Sequence, residues 1–334
     1  MYDYHMHSRV SFDARDTGLA MALAAKERGL KDICFTDHID YTPEMDMVFD
    51  TAVYSAEYDS LEVPGLLIRR GMEFGLTPDN AAQLQKDLNR RHFDFVLGSV
   101  HLVDGVDIYL EPYWKGKTYD EAIRRHLEVT LETVRTHEDY DVLGHLTYIS
   151  KCQGNPRKEL LRYEDHKGIM DEILSELVKR GKGMELNTSG IDRCGGPLPT
   201  LDYFQRFYEL GGRIVTVGSD SHDVGRAGQY THEMVAELKK IFGYVCTFED
   251  RKPIFHRYSQ LKGPRLTARV FSVSKNSCLP HRGRRPSEAM SEGVLPEFAE
   301  ILKKRNFLHR SSREHPPQSR CLRDSRLRAA RLRL

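Results

Sequence analysis

From Met1 to about Leu261, short runs of apolar and β-branched residues alternate with longer stretches in which apolar positions recur at helical spacing. The short runs predict strands near 2–6, 32–36, 66–73, 94–99, 141–145, 183–187, 214–218 and 244–248. The longer stretches predict helices over 16–28, 79–91, 118–137, 163–180 and 200–210. Punctuation agrees with these bounds: Pro78 precedes one helix, and Gly29, Gly181 and Gly211 stand where a left-handed residue closes three of the others. Strands alternating with helices imply parallel strands joined by helical crossovers. The chain is therefore expected to be α/β, a closed or nearly closed barrel with its active site at the C-terminal ends of the strands. A doubly wound open sheet is the alternative.

The regularity stops after Leu261, where Arg, Ser and Pro take over. Residues 262–334 hold 18 Lys+Arg and 6 Asp+Glu, so that with a whole-chain charge of +1 the first 261 residues carry −11. Two domains are expected on this basis, a barrel over 1–261 and a basic, disordered tail over 262–334 with at most a short amphipathic helix around Leu295–Arg305. The start, Tyr2-Asp3-Tyr4-His5-Met6-His7, has neither the basic beginning nor the apolar run of a signal peptide. No stretch has the roughly 20 apolar residues of a membrane span, so a cytoplasmic protein with no membrane partner is expected. The six cysteines are scattered and form no C-x-x-C pair, as suits free thiols in a reducing compartment.

The candidate chemistry sits at the ends of the predicted strands. His5 and His7 close the first, Asp37 and His38 the second, Glu73 the third, His101 the fourth, His145 the fifth, and Asp220 and His222 the strand at 214–218. In a parallel barrel these ends open on one face, so residues far apart in the chain converge. Residues two apart in an extended segment project to the same side, which lets His5 and His7 grip one ion, and Asp220 and His222 likewise. Imidazole and carboxylate without cysteine suit zinc, iron or manganese better than a thiolate site. Gly71, Gly98, Gly144 and Gly218 let the backbone turn sharply into the site. A lone strand-end histidine is more often a hydrogen-bonded rim residue than a ligand; recurrence at successive strand ends argues against that reading. His92, His126, His137, His166, His232 and His256 lack such placement and are read as surface or structural residues.

The ordered series D-Y-H-M-H-S (3–8), F-T-D-H (35–38), G-M-E (71–73), G-S-V-H (98–101), L-G-H (143–145), E-L-N-T-S-G (185–190) and G-S-D-S-H (218–222) resembles the histidinol-phosphate phosphatases of the polymerase-and-histidinol-phosphatase (PHP) superfamily. The resemblance implies a distorted, TIM-like (β/α)7 barrel holding three divalent metal ions (Zn, Fe or Mn). One ion would lie on His5, His7, Glu73 and Asp220, a second on the bridging Glu73 with His101 and His145, and the third on Asp13, His38 and His222. Asp13 enters only through the resemblance. At Thr147 relatives commonly carry an Asp, so a contact that orients His145 is expected to be weakened here.

The implied activity is phosphomonoester hydrolysis, of L-histidinol phosphate to L-histidinol and phosphate in histidine biosynthesis, with Glu73 and Asp220 as catalytic residues. Two ions would activate a water, and Arg193, followed by Lys151 and Lys117, would hold the phosphoryl oxygens of this small-molecule substrate. Asp220 or a second water would protonate the leaving group. One alternative is a phosphoesterase or exonuclease acting on nucleotides or nucleic acid, using the basic tail, although residues 1–261 show no basic stripe with interleaved aromatics. The other is a non-catalytic metal-binding or tail-mediated interaction protein, which would have no need of a bridging Glu73. The sequence leaves the oligomeric state open.

Overall fold

The computed structural model describes residues 1–257. Parallel strands β1 (Tyr2–Met6), β2 (Asp32–Tyr41), β3 (Leu67–Gly75), β4 (Phe95–Ser99), β5 (Val142–Leu143), β6 (Gly183–Asn187) and β7 (Val215–Gly218) lie side by side in chain order. Each is followed by a helix: α1 (Gly18–Glu27), α2 (Thr51–Tyr58), α3 (Ala81–Leu88), α4 (Tyr119–Thr136), α5 (Lys167–Lys179), α6 (Leu201–Glu209) and α7 (Thr231–Phe242). The first and last strands meet. The Asp220 N–H donates to the His5 carbonyl (2.8 Å) and the His7 N–H to the Ser221 carbonyl (2.9 Å). The result is a seven-stranded α/β barrel, distorted at its seam, where β1 shifts register between Asp3 and Met6 and touches the β7 side through the single bridge Met6–Ser221.

Five of these seven helices lie where the periodicity places them, and α2 and α7 are the two it did not mark. Helix α4 opens on a capping box, the Thr118 hydroxyl accepting from the Glu121 N–H (3.3 Å) and the Glu121 carboxylate from the Thr118 N–H (2.8 Å). It buries Ile123, Leu127 and Val134 along one face. Helix α2 is not predicted by pattern, because its Thr, Val and Tyr favour strands; Asp50 caps the Ala52 and Val53 N–H groups, and Tyr54 and Tyr58 anchor it in the core. Helix α7 starts without a side-chain cap, after Tyr230 in a left-handed conformation (φ 60°).

The stretch near 244–248, expected as one more strand in the series, has another role. Strand β8 (Tyr244–Glu249) pairs antiparallel with β9 (Lys252–Arg257). The two-residue turn between them, Asp250 and Arg251, is left-handed at both positions (φ 49° and 63°), the geometry that matches strand twist in a tight hairpin. Phe248 and Cys246 pack with Tyr4, Cys34, Phe95, Leu97 and Val142, an apolar cluster beneath the barrel. Tyr4 donates from its hydroxyl to Asp32 (2.8 Å), and Arg251 reaches the Asp141 carboxylate and the Asp139 carbonyl. The hairpin thus stoppers the end of the barrel where strands begin. No helix among the described residues is long and apolar enough to cross a membrane. The boundary expected at Leu261, the tail 262–334 and the helix around Leu295–Arg305 lie outside the described residues.

Candidate metal centre

At the opposite end, where the strands stop, Glu73 is fully buried in β3, in register with His38 of β2. Its two carboxylate oxygens face different imidazoles. Oε2 lies 3.1 Å from His5 Nε2, 3.2 Å from His38 Nδ1 and 3.5 Å from His7 Nε2; Oε1 lies 2.9 Å from His145 Nε2 and 3.3 Å from His101 Nε2. Asp220 Oδ1 stands 3.6 Å from both His5 Nε2 and His7 Nε2. Asp13 Oδ2 lies 3.1 Å from His222 Nε2 and 3.7 Å from His38 Nε2. The nine residues expected as ligands therefore come together, and the His7 ring stacks on those of His38 and His222.

Behind this cluster a shell of acceptors orients several of the rings. Glu185 of β6 accepts from His5 Nδ1 (2.7 Å) and from the His145 N–H (2.8 Å). Asp40 of β2 lies 2.9 Å from His101 Nδ1, and Ser11 Oγ is 3.0 Å from His7 Nδ1. An imidazole that gives its outer N–H to such an acceptor turns its inner lone pair toward the centre, where a cation can use it. Space is tight: a side chain at Gly218 would put its Cβ 2.2 Å from Glu185 Oε1 and 2.3 Å from His5 Cβ, so only glycine lets these groups meet.

The electrostatics are those of charges held at close quarters. Burial opposes ionisation of Glu73, yet His5, His38 and His101 outweigh it and hold the carboxyl well below its ordinary range. Asp220 is held down in the same way against its burial, by Lys151 and His5. Burial would discharge His38, but Asp13 and Glu73 override it and lift the imidazole to about 9. His7 goes the other way, driven well down by burial and by neighbouring His222 and His38.

The donor set fits divalent cations. Glu73 Oε1, Asp13 Oδ1, His38 Nδ1 and His145 Nδ1 are buried without a hydrogen-bond partner. Such atoms are costly unless something else satisfies them. The groups His5–His7–Glu73, Glu73–His101–His145 and His7–His38–His222 each bring their ligand atoms within 4.8 Å of one another. Nitrogen and carboxylate oxygen in this proportion, with no thiolate, match zinc, iron or manganese.

The substrate-side candidates divide. Lys151 is buried beside the cluster, its ammonium on Asp220 Oδ2 and 2.6 Å from Ser189 Oγ. Arg193 bonds the Tyr109 hydroxyl (3.0 Å) and lies within the field of Asp220. Lys117 is turned onto Tyr113, donating to its carbonyl and lying 4.6 Å from its ring, so its contacts are with that tyrosine and not with the cluster. Asp37, at the strand end beside His38, points away from the cluster and accepts from the Ser8 N–H (2.9 Å) and Ser11 Oγ (2.8 Å). Beside Thr147, His145 Nδ1 has no partner. Sequence reasoning missed Asp40 and Glu185. Asp40 follows His38 by two positions, the same alternation that singled out His5 and His7; Glu185 stands two before Asn187 in the E-L-N-T-S-G run.

Comparison with known proteins bears on this arrangement. Residues 3–189 match the PHP domain. The chain is 30% identical over 256 residues to the histidinol-phosphatase of Lactococcus lactis subsp. lactis, covering 75% of this chain and 95% of that protein. The crystal structure of the histidinol phosphate phosphatase of the same organism, complexed with zinc, L-histidinol and phosphate, superposes with a TM-score of 0.67 at 28% identity, covering 76% of this chain and 98% of that one.

Proposed function

The chain belongs to the PHP family, and from that premise we propose that it is a histidinol-phosphatase, a metal-dependent phosphomonoesterase that converts L-histidinol phosphate to L-histidinol and phosphate in histidine biosynthesis. The observation that carries the reading is Glu73, one buried carboxylate whose two oxygens face separate sets of imidazoles, as a bridge between two cations requires. We assign three divalent ions, to His5, His7, Glu73 and Asp220, to Glu73, His101 and His145, and to Asp13, His38 and His222. Ions bound there would supply an acidified water as nucleophile and positive charge for the phosphoryl oxygens.

The chain's own residues do the rest. Lys151, fixed between Asp220 and Ser189, offers an ammonium to one phosphoryl oxygen. Arg193 brings a planar fork able to donate two parallel bonds. Asp220, held ionised by Lys151 and His5, fixes the Lys151 ammonium at Oδ2, and a second water would supply the proton to the leaving oxygen. Asp13 and Asp107, both partly exposed beside the imidazoles, put negative charge where the cationic amine of the substrate would enter.

Phosphate release from L-histidinol phosphate, glycerol phosphate and a nucleoside monophosphate, with zinc present, tests the reading. The highest kcat/KM is expected for L-histidinol phosphate. An equal or higher value for either competitor rejects the substrate, and activity that survives chelation rejects the metal mechanism.

A further inference from the structure

The His126 imidazole is nearly fully buried on α4, and neither of its ring nitrogens has a hydrogen-bond partner. No part of the metal cluster uses it. One turn along, Thr130 donates its hydroxyl to the His126 carbonyl (2.8 Å), which fixes that side chain on the same face of the helix. Facing them is His145, whose Nε2 lies on Glu73 Oε1 and whose Nδ1 is buried and unpartnered. His126, Thr130 and His145 line one small cavity, floored by Gly144 and Leu146, with about 10 Å³ open to the centre of a water molecule. That is room for about one water. The Leu146 backbone lies near enough to His126 to favour a proton on its ring, without forming a well-aligned hydrogen bond.

Dry cavities are apolar, and a buried water needs two to four polar partners. This cavity has them in His145 Nδ1, the His126 ring and the Thr130 hydroxyl. We propose that one buried water joins His145 Nδ1 to His126, and that His126 is thereby a positioning residue for the metal centre. The His145 Nδ1–H donates a hydrogen bond to the water, which donates one to a His126 nitrogen. That locks the tautomer of His145 in which the Nε2 lone pair points at the Glu73 side, the service that Glu185 gives His5 and Asp40 gives His101 directly. A neutral imidazole has one acceptor nitrogen, and both nitrogens of His126 are free to take that part.

The inference rests on His145 as a metal ligand, and two measurements on the full chain keep the two ideas apart. In a crystal structure that orders internal waters, one should lie within hydrogen-bond distance of both His145 Nδ1 and a His126 nitrogen; a dry cavity there overturns the proposal, whatever the metal content. In zinc titrations, His126→Leu should weaken binding by about 10- to 100-fold while the metal-free protein melts no lower than the parent, and His126→Asn, which can still hold the water, should recover most of the loss. Parental zinc affinity in His126→Leu, with a lowered melting temperature, would mean that His126 is only a packing residue. If the parent itself binds no zinc, it is the metal assignment of His145 that falls.

Discussion

The two ends of the barrel are built from the same residue types and do opposite things. Where the strands begin, Asp32, Asp94 and Asp141 each meet a donor: Tyr4 hydroxyl to Asp32 (2.8 Å), the Arg70 and Asp250 N–H groups to Asp94 (3.1 and 3.3 Å), the Val96 N–H (2.8 Å) and Arg251 guanidinium to Asp141. Where the strands end, Glu73 and Asp13 meet clustered imidazoles at contact distance, each with a buried oxygen left without an aligned donor. A carboxylate with its donor in the fold is structure; one whose donor must arrive from solution is a site. The unpaired end has a cost to the metal-free fold, offset by the paired and apolar end below.

The sharpest way to break this comparison is at its centre. Glu73→Gln should lower kcat for phosphate release by about 1,000-fold or more, while circular dichroism still shows a folded protein, melting somewhat lower because the buried imidazoles lose their counter-charge. A variant that is equally inactive because it is unfolded would erase the distinction between the two ends. Phe248→Ala at the closed end should do the reverse, removing about 3–5 kcal/mol of stability in urea unfolding with kcat per folded molecule little changed. Between these lies the rim: Arg193→Ala should raise KM for L-histidinol phosphate by about 10- to 100-fold, and Arg193→Lys should recover only part, because lysine restores the charge and not the fork.

A smaller effect tests the electrostatics. His38 is lifted from 6.5 to about 9 in the metal-free fold, so its protonated form stabilises that fold fully below 6.5 and the contribution is lost as pH rises through about 9. Metal must displace the same proton, so zinc affinity should climb from pH 6.5 to 9 while metal-free stability declines. Calorimetric zinc titrations and urea unfolding across that range check both signs; affinity independent of pH would place His38 outside the ligand set. The smallest effect is expected from the tail. A chain ending at Leu261 should keep the parental kcat and melting temperature, and loss of either would assign the tail a share in the barrel.

What the sequence made legible follows from periodicity. His5 with His7, and Asp220 with His222, are visible because alternation puts them on one side of an extended segment, and Glu73, His101 and His145 because each closes a clear strand. Asp13 has no such signal, since it lies in a loop and is brought to His222 by the turn that Ser8 and Ser11 make on Asp37. Asp40 extends β2 beyond the apolar run that marked the strand, and its pairing with His101 depends on strand order, which no local pattern encodes. The hairpin under the barrel was misplaced for a related reason: Val245, Cys246 and Phe248 look like any buried strand, and only the two left-handed turn residues after them, neither of them glycine, redirect the chain.

The seam between β1 and β7 has a consequence for how the protein is made. His5 and His7 leave the ribosome about 200 residues before their hydrogen-bonded partners Asp220 and Ser221, a wait of about 10–40 s at ordinary elongation rates. Until then the first strand has β2 on one side and nothing on the other, and its two imidazoles have Glu73 but not Asp220 to help them keep an ion. Productive metal capture is therefore a late event in the life of the nascent chain, and any zinc bound earlier by His5 and His7 is held by a half-built site from which it can still escape.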